Sequence, residues 1–254
     1  MNLGLVLLFF ITAALYASVG FGGGSTYNAL LVMAGTDILI MPLIALACNI
    51  FVVSGNVFRY WRADILDFRR YIPLIILSVP MAWLGGSIPI SQKLFIGLLA
   101  VALLFAGVRL LWTSWREEVA NHVEGNKLGA VPAALIGGGV GFYAGLVGIG
   151  GGIFLAPVLY FTRWGSAKAI AAACSFFILV NSIAAFGGHY SKLETLGQLE
   201  VAYAYWPLLP AVFVGGLIGN YLGIFKISEI WVKRLTAILI LYVALRLTLK
   251  WFTM

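Results

Sequence analysis

The chain has 254 residues, with 16 Lys and Arg against nine Asp and Glu, for a net charge of +7. Apolar residues make up 62% and charged residues 10%, where soluble domains carry roughly 45–50% and 25%. That balance excludes a soluble globule and a disordered chain, and the 30 glycines show no triplet period, which excludes collagen. A polytopic membrane protein remains.

In chain order, Asp, Glu, Lys and Arg are missing from 1–36, 38–58, 71–92, 94–108, 128–162, 201–225 and 235–245. A spanning helix needs about 20 largely apolar residues. The runs are continuously apolar rather than alternating, so helices are expected and a β-barrel is not. The N-terminal run has no basic leader and continues past residue 30, so it is read as a mature membrane element rather than a cleaved signal. Cys48 and Cys174 both sit in apolar runs, without a spaced Cys/His set. No disulfide framework, metal or other cofactor is expected. The basic residues are scattered over short loops, which fits a membrane protein better than a nucleic-acid binder.

The pattern reads as two related halves. Val19-Gly20-Phe21-Gly22-Gly23-Gly24 parallels Val147-Gly148-Ile149-Gly150-Gly151-Gly152. Each run follows a helix-length apolar segment and precedes a nine-residue apolar piece, 26–34 and 153–161. Full-length segments follow at 38–58 and 167–187, then 71–88 and 203–222, then 92–112 and 230–250. The expected organisation is a first repeat at 1–113, a cytoplasmic linker at 114–127 and a second repeat at 128–254, each repeat with five hydrophobic elements.

The positive-inside rule orients them. If 3–34 and 128–161 each leave and return on one side, one face gathers Arg59, Arg62, Arg69, Arg70, Arg116, Lys127, Arg163, Lys168, Lys226, Lys233 and Arg234. The other face holds only Lys93 and Lys192. If each Gly-rich region were one broken span, the division would be nearly even. The expected topology is therefore a pair of inverted repeats in the plasma (inner) membrane, with both termini external and loop 59–70 cytoplasmic.

Nine residues of helix span about 13.5 Å, half of a roughly 30 Å hydrocarbon core. Half-helices preceded by Gly22, Gly23, Gly24 and Ser25, the first of them opening with Thr26, and by Gly150, Gly151 and Gly152, would meet near mid-membrane. A helix N-terminus carries free N–H donors and roughly half a positive charge. Two such ends would bind a small anion without a buried cation, as in transporters with broken helices. The plainer alternative is that the glycines only permit close helix packing, the reading preferred for isolated Gly97 and Gly107.

Gly145–Leu159, Gly-Leu-Val-Gly-Ile-Gly-Gly-Gly-Ile-Phe-Leu-Ala-Pro-Val-Leu, resembles the signature of the TauE/SafE sulfite exporter family, and Tyr16–Asn28 resembles its weaker first-half copy. The first copy departs in having Ser25-Thr26 after the glycines and no proline matching Pro157. The resemblance spans nearly the whole chain. It implies a permease for sulfur-containing oxyanions such as sulfite, thiosulfate-like species or organosulfonates.

Asn49 and Ser175 stand in matching positions, each just after a cysteine, and Asn56, Asn181 and Ser182 lie about two turns further on. Their amides and hydroxyls are able to donate to an oxyanion or to a neighbouring helix. Cys48 and Cys174 are read first as packing residues and otherwise as soft contacts for a sulfur substrate. Arg109 and Arg246 are expected to snorkel. His189 is expected in an exposed external loop, Asp37 as a helix N-cap, and Lys168 reaching toward the second Gly-rich run. All nine carboxylates fall in or beside loops. A coupling ion, if used, is then held by carbonyls, or coupling runs through a His or the substrate's own proton; uniport stays open. An enzyme is not expected, because the two histidines, His122 and His189, lie apart and no carboxylates pair. The expected partners are a small anionic substrate and the lipid bilayer. The remaining alternatives are a passive anion channel and a carrier of a non-sulfur organic anion.

Overall fold

The computed structural model describes residues 3–115, 128–222 and 229–253. Arg116, His122, Lys127 and Lys226 lie outside them. The described residues form helices and no strands. These are α1 (Leu3–Val19), α2 (Gly24–Met33), α3 (Met41–Arg62), α4 (Phe68–Ser87), α5 (Gln92–Trp115), α6 (Ala130–Val147), α7 (Gly152–Phe161), α8 (Ala167–Thr195), α9 (Leu199–Tyr203), α10 (Leu208–Leu222) and α11 (Glu229–Thr253). Met41–Arg62, Gln92–Arg109, Ala130–Val147 and Lys168–Thr195 are long and apolar enough to cross a bilayer. Large side chains such as Ile76, Trp112, Val131, Leu217 and Phe252 lie exposed on the outside. Such a surface suits lipid rather than water. The protein is an all-α polytopic membrane protein.

Local chemistry sets the boundaries. α2 and α7 begin where glycine runs end, and each has ten residues. α3 starts beside Pro42 in its first turn, where the missing N–H costs nothing. Asp37 therefore does not cap it. The N-cap is Ile40, and Asp37 Oδ1 accepts from Leu39 N–H at 3.0 Å in the preceding turn. α4 is capped by Asp67, which accepts from Arg70 N–H at 3.3 Å, and α8 by Ser166, which accepts from Ala169 N–H at 3.3 Å. α8 runs past the expected end at 187 to Thr195, because its polar last turns remain helical after the apolar run stops. The short α9 follows it and carries no apolar run of its own.

The helices pair across the chain. α1 lies on α10, α6 on α4, α5 on α11 and α3 on α8; α3 also meets α10, and α8 meets α4. Exchanging the first five helices for α6, α7, α8, α10 and α11 leaves these partnerships unchanged. Glycines carry the closest approaches. A Cβ on Gly141 would meet Ser78 O at 2.5 Å, and one on Gly137 or Gly145 would strike the backbone of Leu74 or Ala82. α4 and α6 thus run in the same direction. α1 and α10 do too, with Gly215 against Phe10 and Gly219 against Ala14. α5 and α11 run oppositely, Gly97 lying against Trp251 and Gly107 against Leu241.

Candidate functional site

Between α1 and α2 the chain breaks at Gly20–Gly23, and between α6 and α7 at Gly148–Gly151. φ is positive at Gly20 (85°), Gly23 (85°), Gly148 (71°), Gly150 (82°) and Gly151 (83°), a region that side chains with a Cβ rarely enter. Both breaks are buried, as are Ser25 and Thr26.

The two breaks meet. A Cβ on Gly24 would stand 2.9 Å from Ile149 O. Asn28 Nδ2, from α2, donates to Val147 O at 3.1 Å and Gly148 O at 3.0 Å. Asn49, from α3, lies between the breaks. Its Nδ2 donates to Ile149 O at 3.1 Å, and a Cβ on Gly22 would lie 2.5 Å from its Oδ1. Reciprocally, Ser175 Oγ, from α8, donates to Gly20 O at 2.5 Å. Asn56 Nδ2 donates to Phe21 O at 3.3 Å, so the seven-residue spacing from Asn49 does place both amides on the face toward the breaks.

These bonds consume carbonyls of the breaks. The amides of Gly22–Thr26 and Gly150–Ile153 find no acceptor among the described residues. They are the open N-terminal donors of α2 and α7, and no side chain caps α2 at Gly23. The oxygens Asn28 Oδ1, Asn49 Oδ1, Asn56 Oδ1, Asn181 Oδ1 and Ser182 Oγ are buried without a partner. A Cβ on Gly150 would lie 2.8 Å from that Ser182 Oγ. The result is a buried cluster of backbone donors and amide oxygens that, among the described residues, holds no formal charge.

A family model described as "Sulfite exporter TauE/SafE" matches residues 5–247. The chain belongs to the TauE/SafE family. A protein named "Probable membrane transporter protein y4hK" from Sinorhizobium fredii is 32% identical over 246 residues, covering 96% of this chain and 97% of its own. "Probable membrane transporter protein MJ0441" from Methanocaldococcus jannaschii is 26% identical over 240 residues, covering 89% and 85%. No solved structure matches. The chain is a membrane transporter of this family.

In this TauE/SafE chain the remaining sequence candidates are placed as follows. Thr26 Oγ1 lies 2.8 Å from the Tyr16 hydroxyl. Asn181 Nδ2 turns back to Phe177 O at 2.8 Å in its own helix. Cys48 and Cys174 are buried free thiols, each in an apolar cluster. Lys168 is exposed at the start of α8. Arg246 is exposed, its guanidinium 6.0 Å from the Tyr242 ring centre, and Arg109 is half-buried. His189 is not an exposed loop residue. α8 continues through it, and its ring is buried against α6, with Nε2 2.8 Å from Gly145 O. Asn28 escaped the sequence reading. An amide one turn into an otherwise apolar half-helix was the signal available.

Proposed function

We propose that this TauE/SafE transporter moves small sulfur-containing anions, such as sulfite or organosulfonates, by alternating access around the two joined breaks. The observation that carries this reading is the convergence of two buried, uncapped helix N-termini on one another. Their amides at Gly22, Gly23, Gly24, Ser25 and Thr26, and at Gly150, Gly151 and Gly152, supply donors and partial positive charge to an oxyanion. Asn49, Asn56, Ser175 and Asn181 shape that cradle, and the packed thiols Cys48 and Cys174 back it. A coupling cation would find its ligands among the unpartnered amide oxygens.

Helix directions support inverted halves at 1–113 and 128–254, since α5 opposes its counterpart α11. The basic residues at 59–70 support a cytoplasmic position for that loop in the inner membrane, with external termini. Burial of both breaks favours a carrier over an open pore.

The test is labelled-sulfite flux into proteoliposomes, competed by sulfonates and carboxylates. Saturable uptake, blocked selectively by sulfur oxyanions and stimulated by internal substrate, is expected. Asn49→Asp removes the donor to Ile149 O and sets a negative charge beside both triplets. Like charges in contact cost several kcal/mol, so flux should fall about 100-fold or more. Wild-type flux in a correctly inserted Asn49→Asp protein refutes the site.

A further inference from the structure

A second polar feature lies apart from the breaks. A cavity of about 360 Å³ opens where α3 begins and where α8 and α11 end, and none of the triplet glycines lines it. Its polar lining comes from Thr36, Asp37, Gln92, His189, Lys192 and Lys250. The rest is largely apolar, with Ile90, Phe95 and Leu247 among the lining residues. That volume falls in the range of small-molecule pockets.

Of the two lysines, Lys192 is half-buried and Lys250 is exposed. Lys192 Nζ lies 3.0 Å from His189 Nδ1. An ammonium only donates, so Nδ1 accepts, the ring is neutral, and its proton sits on Nε2. That N–H donates to Gly145 O at 2.8 Å. On the third side lies α4, where a Cβ on Gly86 would come within 3.1 Å of His189 Cδ2. The imidazole is thereby locked between α4 and α6, and it aims the ammonium without neutralising it. Among the described residues no carboxylate pairs with Lys192 or Lys250. The one acid of the lining, Asp37, is exposed, and its Oδ1 accepts from Leu39 N–H. A half-buried ammonium whose one hydrogen-bond partner among the described residues is neutral favours an anion beside it.

We propose that this cavity is a separate binding site for a small organic anion, whose charged head meets Lys192 and Lys250 and whose hydrocarbon part lies on the apolar wall. His189 is the positioning residue. The floor includes Pro42 and Leu146, and a Cβ on Gly148 would lie 2.6 Å from Pro42 Cα. The site is therefore an antechamber directly over the second break. Its external position rests on the topology proposed above; its ligand chemistry does not.

The experiment is calorimetric titration of 1-butanesulfonate into the full chain in phosphatidylcholine nanodiscs, with 1-butanol as the uncharged control. Butanesulfonate should bind and butanol should not. Lys192→Gln should weaken binding at least tenfold, Lys250→Gln should weaken it less, and Lys192→Arg should retain it. Asn49→Leu should remove only binding at the breaks and leave the Lys192-dependent binding in place, which separates the two sites. A normal isotherm in Lys192→Gln, equal binding of butanol, or no binding to the wild type overturns the proposal. Binding that vanishes in phosphatidylglycerol nanodiscs reassigns the Lys192 contact to a lipid phosphodiester and also overturns it. Absent flux with intact butanesulfonate binding would defeat the transport reading alone.

Discussion

Replacing Gly151 with alanine separates backbone strain from crowding, because the protein supplies its own control. Gly151 has φ of 83°, and an added Cβ would lie 2.9 Å from Phe177 Cε1 and 3.2 Å from both Ala144 Cβ and Val140 Cγ1. Gly35 has φ of 72° and open space within 4 Å. Left-handed backbone costs a residue with a Cβ roughly 1–2 kcal/mol, which both variants bear. Overpacking adds roughly 1–3 kcal/mol at Gly151 only. Gly35→Ala should therefore lose about 1–2 kcal/mol and Gly151→Ala about 2–5 kcal/mol. In a chain of this size each kcal/mol moves the unfolding midpoint by roughly 2–4 °C. Thermal unfolding of both purified variants in detergent reads the difference. Equal midpoints for the two would refute the tight packing of the second break.

Gly141→Leu should force α4 from α6, since the new Cβ meets the Ser78 backbone rather than a movable side chain, whereas Gly139→Leu points into open space and should be tolerated; fluorescence-detected gel filtration distinguishes them. Trp164→Ala should cost about 3–5 kcal/mol, read as a lowered unfolding midpoint, because the indole is buried, stacks on Tyr71 at 5.7 Å and carries the Arg70 guanidinium 3.8 Å above its ring. Arg70→Gln should lose only about 0.5–2 kcal/mol for the cation–π contact, together with the bond to Trp164 O. Single cysteines at positions 64 and 165 should be labelled only from the cytoplasm, and one at 195 only from outside; Cys48 and Cys174, being buried, give a quiet background. External labelling at 165 would refute the inverted topology.

The bilayer makes much of this fold legible. Long helices must be apolar, so the segments expected at 38–58, 71–88, 92–112 and 230–250 locate α3, α4, α5 and α11 to within a few residues. Glycine runs mark the starts of α2 and α7, because there the backbone takes positive φ within buried chain. The same logic misplaces the end of α8. Apolarity reports where lipid stops, and a helix with satisfied backbone bonds continues beyond it, taking His189 and Lys192 into the interior. α9 carries no period over its five residues. At the site, Asn49 and Ser175 stand out by matching position alone. Their cross-linking of the opposite break, and the part played by Asn28, depend on which helices face each other, and no single-helix pattern encodes that.

The reciprocal bonds at the breaks also impose a schedule on biosynthesis. Gly20 O waits for Ser175, 155 residues later, and Asn49 waits 100 residues for Ile149 O. At 5–20 residues per second, the first break stays incomplete for about 8–30 s after it leaves the ribosome. During that interval its carbonyls need water, lipid headgroups or the insertion machinery as stand-in partners. A truncated product ending in the linker never receives its own. Quality control of nascent chains therefore has a natural target in half-made copies of this protein, and separately expressed halves should accumulate only when both are present.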